Sequence, residues 1–127
     1  MAKILIIEDD PYVLRFYENV FRLSDHNYQL ITAQSGEEGL YKIKNEIPEL
    51  ILLDIVMPGK NGLAVLKELK ADSTTQNIPV IILTNISDTE IIRQCSQLGA
   101  TDFLIKSDTE PQQLVQRIEE YLATIKT

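Results

Sequence analysis

The chain is short of residues that several classes of protein depend on. Its 127 residues include one cysteine, Cys95, so no internal disulfide can form, and this usage suits a reducing compartment. One histidine, His26, stands in a polar stretch with no second histidine to make a metal pair, and it is expected to be solvated. Basic residues are outnumbered 12 to 19 by acidic ones, giving a net charge of -7. That balance argues against nucleic acid as a direct partner, because phosphate backbones need a basic surface. No apolar run is long: Lys3–Ile7 is too short for a signal-peptide core or a membrane span. Linkers, low-complexity stretches and internal repeats are missing too. A cytoplasmic protein with no membrane association, folded as a single domain over residues 1–127, is the expectation.

What is present alternates. Five short runs, Lys3–Ile7, Tyr28–Ala33, Leu50–Asp54, Val80–Thr84 and Thr101–Ile105, have the length and apolar density of buried strands. Helical patterns lie between and after them. The first opens at Asp10-Pro11, a cap followed by a proline suited to the first turn, and turns Val13, Leu14, Tyr17 and Phe21 to one face. Tyr12 belongs to its outer surface. The second opens with the capping-box pattern Ser35-Gly36-Glu37-Glu38 and carries Leu40, Ile43 and Ile47. The third carries Val65, Leu66 and Leu69. A second capping-box pattern at Ser87-Asp88-Thr89-Glu90 opens the fourth, with Ile91, Ile92, Cys95 and Leu98 inward and Gly99 as its stop. The fifth spaces Leu114, Val115, Ile118, Tyr121, Leu122 and Ile125 over three turns. Five βα units imply an α/β fold: a parallel sheet with helices on both faces.

In a parallel sheet all strands end at one edge, where sites of open α/β sheets form. The first strand ends in Glu8-Asp9-Asp10, the third at Asp54, the fourth at Thr84 and the fifth near Lys106. An acid closing the apolar run Leu50–Leu53 is unusual. Three carboxylates drawn together repel unless a cation lies among them. Oxygen ligands without histidine favour a hard ion such as Mg2+. Such a site could bind a phosphoryl group, with Asp54 as nucleophile forming an acyl phosphate, Lys106 on a second oxygen and the Thr84 hydroxyl on a third. Taken singly, each residue has a structural reading as well. Asp10 is a helix cap, Asp54 could begin a turn, Thr84 could be a strand-end hydroxyl and Lys106 a solvated lysine. The inference rests on all four strand ends together.

At these residues the chain resembles the receiver domain of two-component response regulators. The resemblance is carried by Ile4-Leu5-Ile6-Ile7-Glu8-Asp9-Asp10, by Leu52-Leu53-Asp54-Ile55-Val56-Met57-Pro58-Gly59 with Asn61-Gly62, by Ile82-Leu83-Thr84, and by Gly99–Lys106. It implies a flavodoxin-like (βα)5 three-layer sandwich with strand order 2-1-3-4-5 and a single receiver domain over residues 1–127. It implies a phosphorylation-dependent switch: Asp54 accepts a phosphoryl group from a phosphohistidine on a sensor histidine kinase or phosphotransfer protein. Mg2+ would be held by Asp9 directly, by Glu8 largely through water, by Asp54 and by the backbone carbonyl of Val56. Thr84 and Phe103 would form the switch pair, altering the face made by the fourth helix, fifth strand and fifth helix to control an output partner or domain. A domain of this kind catalyses only its own phosphorylation and dephosphorylation and is otherwise no enzyme. A phosphorelay intermediate passing phosphate to another histidine, and a pseudo-receiver that keeps only the shape, are the alternatives.

Three residues depart from the family pattern. Asn85 follows the threonine where a small residue is usual and narrows access. Ser107 follows Lys106 where proline is common; a cis bond there would cost about 2.5–4 kcal/mol without proline. Phe103 replaces the frequent tyrosine and lacks its hydroxyl. Two rival activities lack their residues. A flavin-binding flavodoxin needs a glycine- and hydroxyl-rich loop where this chain has Glu8-Asp9-Asp10-Pro11. An aspartyl-phosphate phosphatase needs an acid two residues after the nucleophile, where this chain has Val56. With Val56 and Ile86 both apolar, neither can orient an attacking water, so a slowly hydrolysing phosphoryl group is expected.

Overall fold

Leu50, Ile51, Leu52 and Leu53 are all buried, as in a strand covered on both faces. In the computed structural model, which describes residues 1–125, they form the central strand of a five-stranded parallel sheet. The elements run β1 (Ala2–Ile7), α1 (Pro11–Leu23), β2 (Tyr28–Ala33), α2 (Gly36–Glu46), β3 (Leu50–Leu53), α3 (Gly62–Ala71), β4 (Val80–Thr84), α4 (Thr89–Gln97), β5 (Asp102–Ile105), a 3-10 turn at Lys106–Asp108, and α5 (Pro111–Ile125). The sheet order is β2-β1-β3-β4-β5, the flavodoxin-like order expected.

Side chains alternate across a strand, and the two faces build two separate cores. On one, Ile4, Ile6, Leu50, Leu52, Ile81 and Leu83 meet Leu14, Tyr17 and Phe21 of α1 and Leu114, Val115, Ile118 and Leu122 of α5. On the other, Leu5, Ile7, Ile51, Leu53, Val80 and Ile82 meet Ile43 of α2, Val65, Leu66 and Leu69 of α3, and Cys95 of α4. Helices α1 and α5 thus cover one face, and α2, α3 and α4 the other. Among the described residues no helix is long and apolar enough to cross a membrane.

Several local expectations shift. The third strand stops at Leu53, so Asp54 stands one residue beyond it, although its N–H still donates to the Ile7 carbonyl at 3.1 Å. The fifth begins at Asp102 because the Thr101 hydroxyl turns back to accept from the Val80 N–H at 3.1 Å. Helix α4 is capped by Asp88, not Ser87: the Asp88 carboxylate accepts from the N–H groups of Glu90 and Ile91. Ile92 lies in solvent. Of this nine-residue helix, only the stripe through Ile91 and Cys95, continued by the C-cap Leu98, packs on the sheet, and Ile92 is a sixth of a turn or more outside it. Ile47 is exposed as well; it is the left-handed cap of α2 (φ 49°), and the following Pro48 disfavours a further helical residue. His26 is exposed but not merely solvated. Its Nδ1 lies 3.3 Å from Glu119 of α5, and its ring stands beside Tyr28, whose hydroxyl also donates to Glu119. Tyr12 is on the surface and Tyr17 in the core, as expected. The Ile125 side chain lies outside the described residues.

One glycine fixes the loop that carries Asp54. A Cβ on Gly62 would stand 2.2 Å from the Asp54 carbonyl oxygen and 2.7 Å from the Ile55 Cα. The Gly62 N–H donates to the Ile55 carbonyl at 2.9 Å, and Asn61 caps α3 by accepting from the Ala64 N–H at 3.0 Å. The first turn of α3 is therefore pressed against the backbone at Asp54, and no side chain larger than hydrogen fits between. Gly62→Ala is expected to lower stability by about 1–3 kcal/mol, read as a drop in the denaturant midpoint; an unchanged midpoint would show that the loop yields freely.

Candidate functional site

The parallel register decides which strand ends meet. β1 lies between β2 and β3, so Glu8, just past Ile7, stands beside Asp54, just past Leu53. The Glu8 N–H donates to the Ala33 carbonyl at 2.9 Å, which holds the start of the β1–α1 loop on the sheet. Asp10 then caps α1, its Oδ1 accepting from Tyr12 N–H at 2.8 Å and Val13 N–H at 3.4 Å. Its own N–H donates to Glu8 Oε2 at 3.1 Å. Asp10 is thus a capping residue, as its structural reading had it, and it orients Glu8.

Lys106 crosses from the end of β5. Its ammonium bonds Glu8 Oε1 closely and lies 3.0 Å from Asp54 Oδ2. These side chains are 14%, 5% and 8% exposed for Lys106, Glu8 and Asp54. Burial pushes the Glu8 carboxyl above its usual range, against the hydrogen bonds from Lys106 and the Asp10 N–H. Burial works against the Lys106 charge too, but the bond to Glu8 and the fields of Asp54 and Glu8 outweigh it and raise its pKa. Asp54 Oδ1 also accepts from the Val56 N–H at 3.4 Å, a short turn that directs the carboxylate.

Glu8, Asp9 and Asp54 each offer a carboxylate oxygen, and the three oxygens lie within 4.8 Å of one another. One ammonium against three carboxylates leaves the cluster negative when all are ionised. All-oxygen donors with excess negative charge fit a hard divalent cation. The space lined by Glu8, Tyr17, Asp54 and Lys106 is only about 10 Å³, too small for a substrate. A reacting group must therefore approach Asp54 from the solvent side. Tyr17 is in the core, as its spacing predicts, and it also walls the back of this cluster, its phenol pKa raised by burial.

Thr84 ends β4, fully covered, and its hydroxyl accepts from the Ile86 N–H at 3.5 Å. The partners of the Asp54 carboxylate are Lys106 and the Val56 N–H, so the Thr84 hydroxyl faces its own loop. Phe103 on β5 is half-buried against the core shared with α4. Val56 is 57% exposed beside Asp54, and Ile86 is partly buried. The peptide between Lys106 and Ser107 is trans, within the 3-10 turn. Sequence reasoning missed what Asn85 does: its Oδ1 accepts from the Ser107 N–H at 3.0 Å.

This fold and this acidic edge are those of a receiver domain, and sequence comparison agrees. The response regulator receiver domain matches residues 4–119, and the chain belongs to that family, a component of two-component signalling. It is 36% identical over 123 residues to PilH of Pseudomonas aeruginosa, covering 97% of this chain and 99% of that protein. It is 37% identical over 123 residues to the probable transcriptional regulator ycf27 of Porphyridium aerugineum, covering 97% of this chain but 49% of that protein, about half the relative's length. The solved structure of the phosphorylated cyanobacterial phytochrome response regulator RcpA superposes with a TM-score of 0.85 at 29% identity, over 99% of this chain and 96% of that one.

Replacing Lys106 tests the charge balance directly. Lys106→Ala leaves Glu8 and Asp54 facing each other without a cation, and a loss of about 1–3 kcal/mol at neutral pH is expected. Part of this should return on adding a divalent cation, measured by denaturant unfolding with and without Mg2+; equal stability of variant and wild type would mean the ammonium offsets no repulsion.

Proposed function

We propose that this chain is a phosphorylation switch in which Asp54 is the phosphoacceptor. The observation that carries the reading is the placement of Asp54: a nearly buried carboxylate, open on one side, with a lysine ammonium 3.0 Å away and two further acids beside it. A phosphohistidine on a sensor histidine kinase or phosphotransfer protein would present its phosphoryl group from the solvent side. The P–N bond breaks as an Asp54 oxygen takes the phosphorus, and the histidine leaves to be protonated. Glu8, Asp9, Asp54 and the Val56 carbonyl would hold Mg2+, which when bound offsets charge on the phosphoryl oxygens. Lys106, already beside Asp54, exchanges its carboxylate contact for a phosphoryl oxygen. The Thr84 hydroxyl turns from its own loop to donate to another, and Phe103 moves inward behind it. The α4–β5–α5 face changes as a result and controls an output partner or domain.

Beyond the phosphodonor, nothing in this chemistry needs a further substrate. The domain acts on itself, in the cytoplasm, with no nucleic acid or membrane as its own partner. The apolar pair beside the site supports a second reading of the output. Exposed Val56 and half-covered Ile86 supply no group to orient water, which suits a phosphorelay intermediate holding its phosphate for another histidine.

Incubation with a small phosphodonor and Mg2+ is expected to give a single phosphate adduct by mass spectrometry, absent from Asp54→Asn. An adduct persisting in that variant, or none in wild type, would overturn the assignment. Once loaded, the acyl phosphate is expected to outlast minutes; decay within seconds would show that water is being oriented by some other group.

A further inference from the structure

We infer that Asn85 and Ser107 form a latch that holds the loop after β4 in its resting position, and that the latch opens when Thr84 moves to a phosphoryl group on Asp54. This rests on the phosphoacceptor reading above and adds to it a restraint built from two residues of this chain.

The bond is set where it can act on both halves of the switch. β4 and β5 pair up to Thr84 opposite Ile105. One residue further on each strand stand Asn85 and Lys106, where the backbone ladder stops. There the Asn85 side chain carries the connection onward, accepting from the Ser107 N–H at 3.0 Å. Asn85 directly follows the switch threonine, and Ser107 directly follows the lysine. A proline at 107 would have no N–H to give, so the bond depends on both unusual residues at once. Both are exposed; burial does not oblige either to pair.

The two sides differ in how firmly they are held. Ser107 lies in the Lys106–Asp108 turn, where the Thr109 hydroxyl donates to the Ile105 carbonyl at 2.8 Å and Lys106 is gripped by Glu8 and Asp54. The loop between Thr84 and the Asp88 cap has a weaker internal tie, the Ile86 N–H to the Thr84 hydroxyl at 3.5 Å. That hydroxyl must leave its loop to serve Asp54. A displacement of about 1 Å along the bond, carried to Asn85, takes a 3.0 Å bond past hydrogen-bond reach. A contact made in one state and lost in the other biases the equilibrium by its own strength. For a neutral, exposed hydrogen bond that is about two- to tenfold in the affinity of a phosphoryl mimic.

The test is a titration of the full chain with beryllofluoride and Mg2+, comparing wild type, Asn85→Ala, Ser107→Pro and the double variant, with Ser107 amide exchange followed by NMR. Each single variant is expected to lower the half-saturating concentration about two- to tenfold, and the double variant no further than either single. The Ser107 amide is expected to be protected in free wild type and to lose protection on loading, a change that a merely structural role would not produce. If Ser107→Pro does not fold, Asn85→Ala and the wild-type exchange decide alone. Unchanged affinity in Asn85→Ala, additive effects in the double variant, or a Ser107 amide still protected in the loaded protein would overturn the latch. Wild type taking up no beryllofluoride at all would instead bring down the phosphoacceptor reading beneath it.

Discussion

Three carboxylates at one sheet edge would drive that edge apart were it not for the Lys106 ammonium lodged between Glu8 and Asp54. The rest of the site depends on this contact. It joins the end of β5 to the ends of β1 and β3, crossing over β4, and so holds the edge as one unit. The balance is incomplete by design of the charges: one ammonium does not neutralise three acids, and the residual negative charge is what a divalent cation answers. Paired with both Glu8 and Asp54, the ammonium keeps the two carboxylates oriented.

Behind that contact stands a sheet buried on both faces. The paired cores fix the strand ends to within the register of the ladder, so that Asp54, though one residue beyond β3, cannot drift. Gly62 completes the placement by letting α3 press on the Asp54 carbonyl. Thr84 sits at a covered position with its hydroxyl spent on its own loop, and Phe103 is only half-buried. Asp54 and Thr84 thus stand at the ends of adjacent strands, with Phe103 one strand further on.

Much of this was legible in the chain because it is written in short-range signals. Continuous apolar runs of four residues marked β3 and β4 as strands buried on both faces, whereas the edge strands β2 and β5, expected to be buried too, are only partly so; the Asp10 and Ser35 caps were readable because a cap is a contact over two or three residues. The same reasoning slipped where two candidates stood side by side, as at Ser87 and Asp88. It slipped also where the width of a helix's contact with the sheet, and not its periodicity, decided burial, as at Ile92. The acids and the lysine were legible as strand-end groups, since a parallel sheet sends all its carboxyl ends to one edge. That His26 meets Glu119 could not be read, because 93 residues of chain separate them and neither lies at a motif.

The sequence by itself determined the alternation of elements, the identity of the groups at each strand end and the family to which they belong. These follow from local periodicity and from residue types that survive any packing. Only the tertiary structure decided that Lys106 reaches Glu8 as well as Asp54, that Tyr17 walls the cluster, and that the Asn85 amide spans to the Ser107 N–H. Each of these is a contact between distant segments whose distance is set by strand order and register. Asn85 and Ser107 looked like two separate departures along the chain; folded, the Ser107 N–H donates to the Asn85 Oδ1.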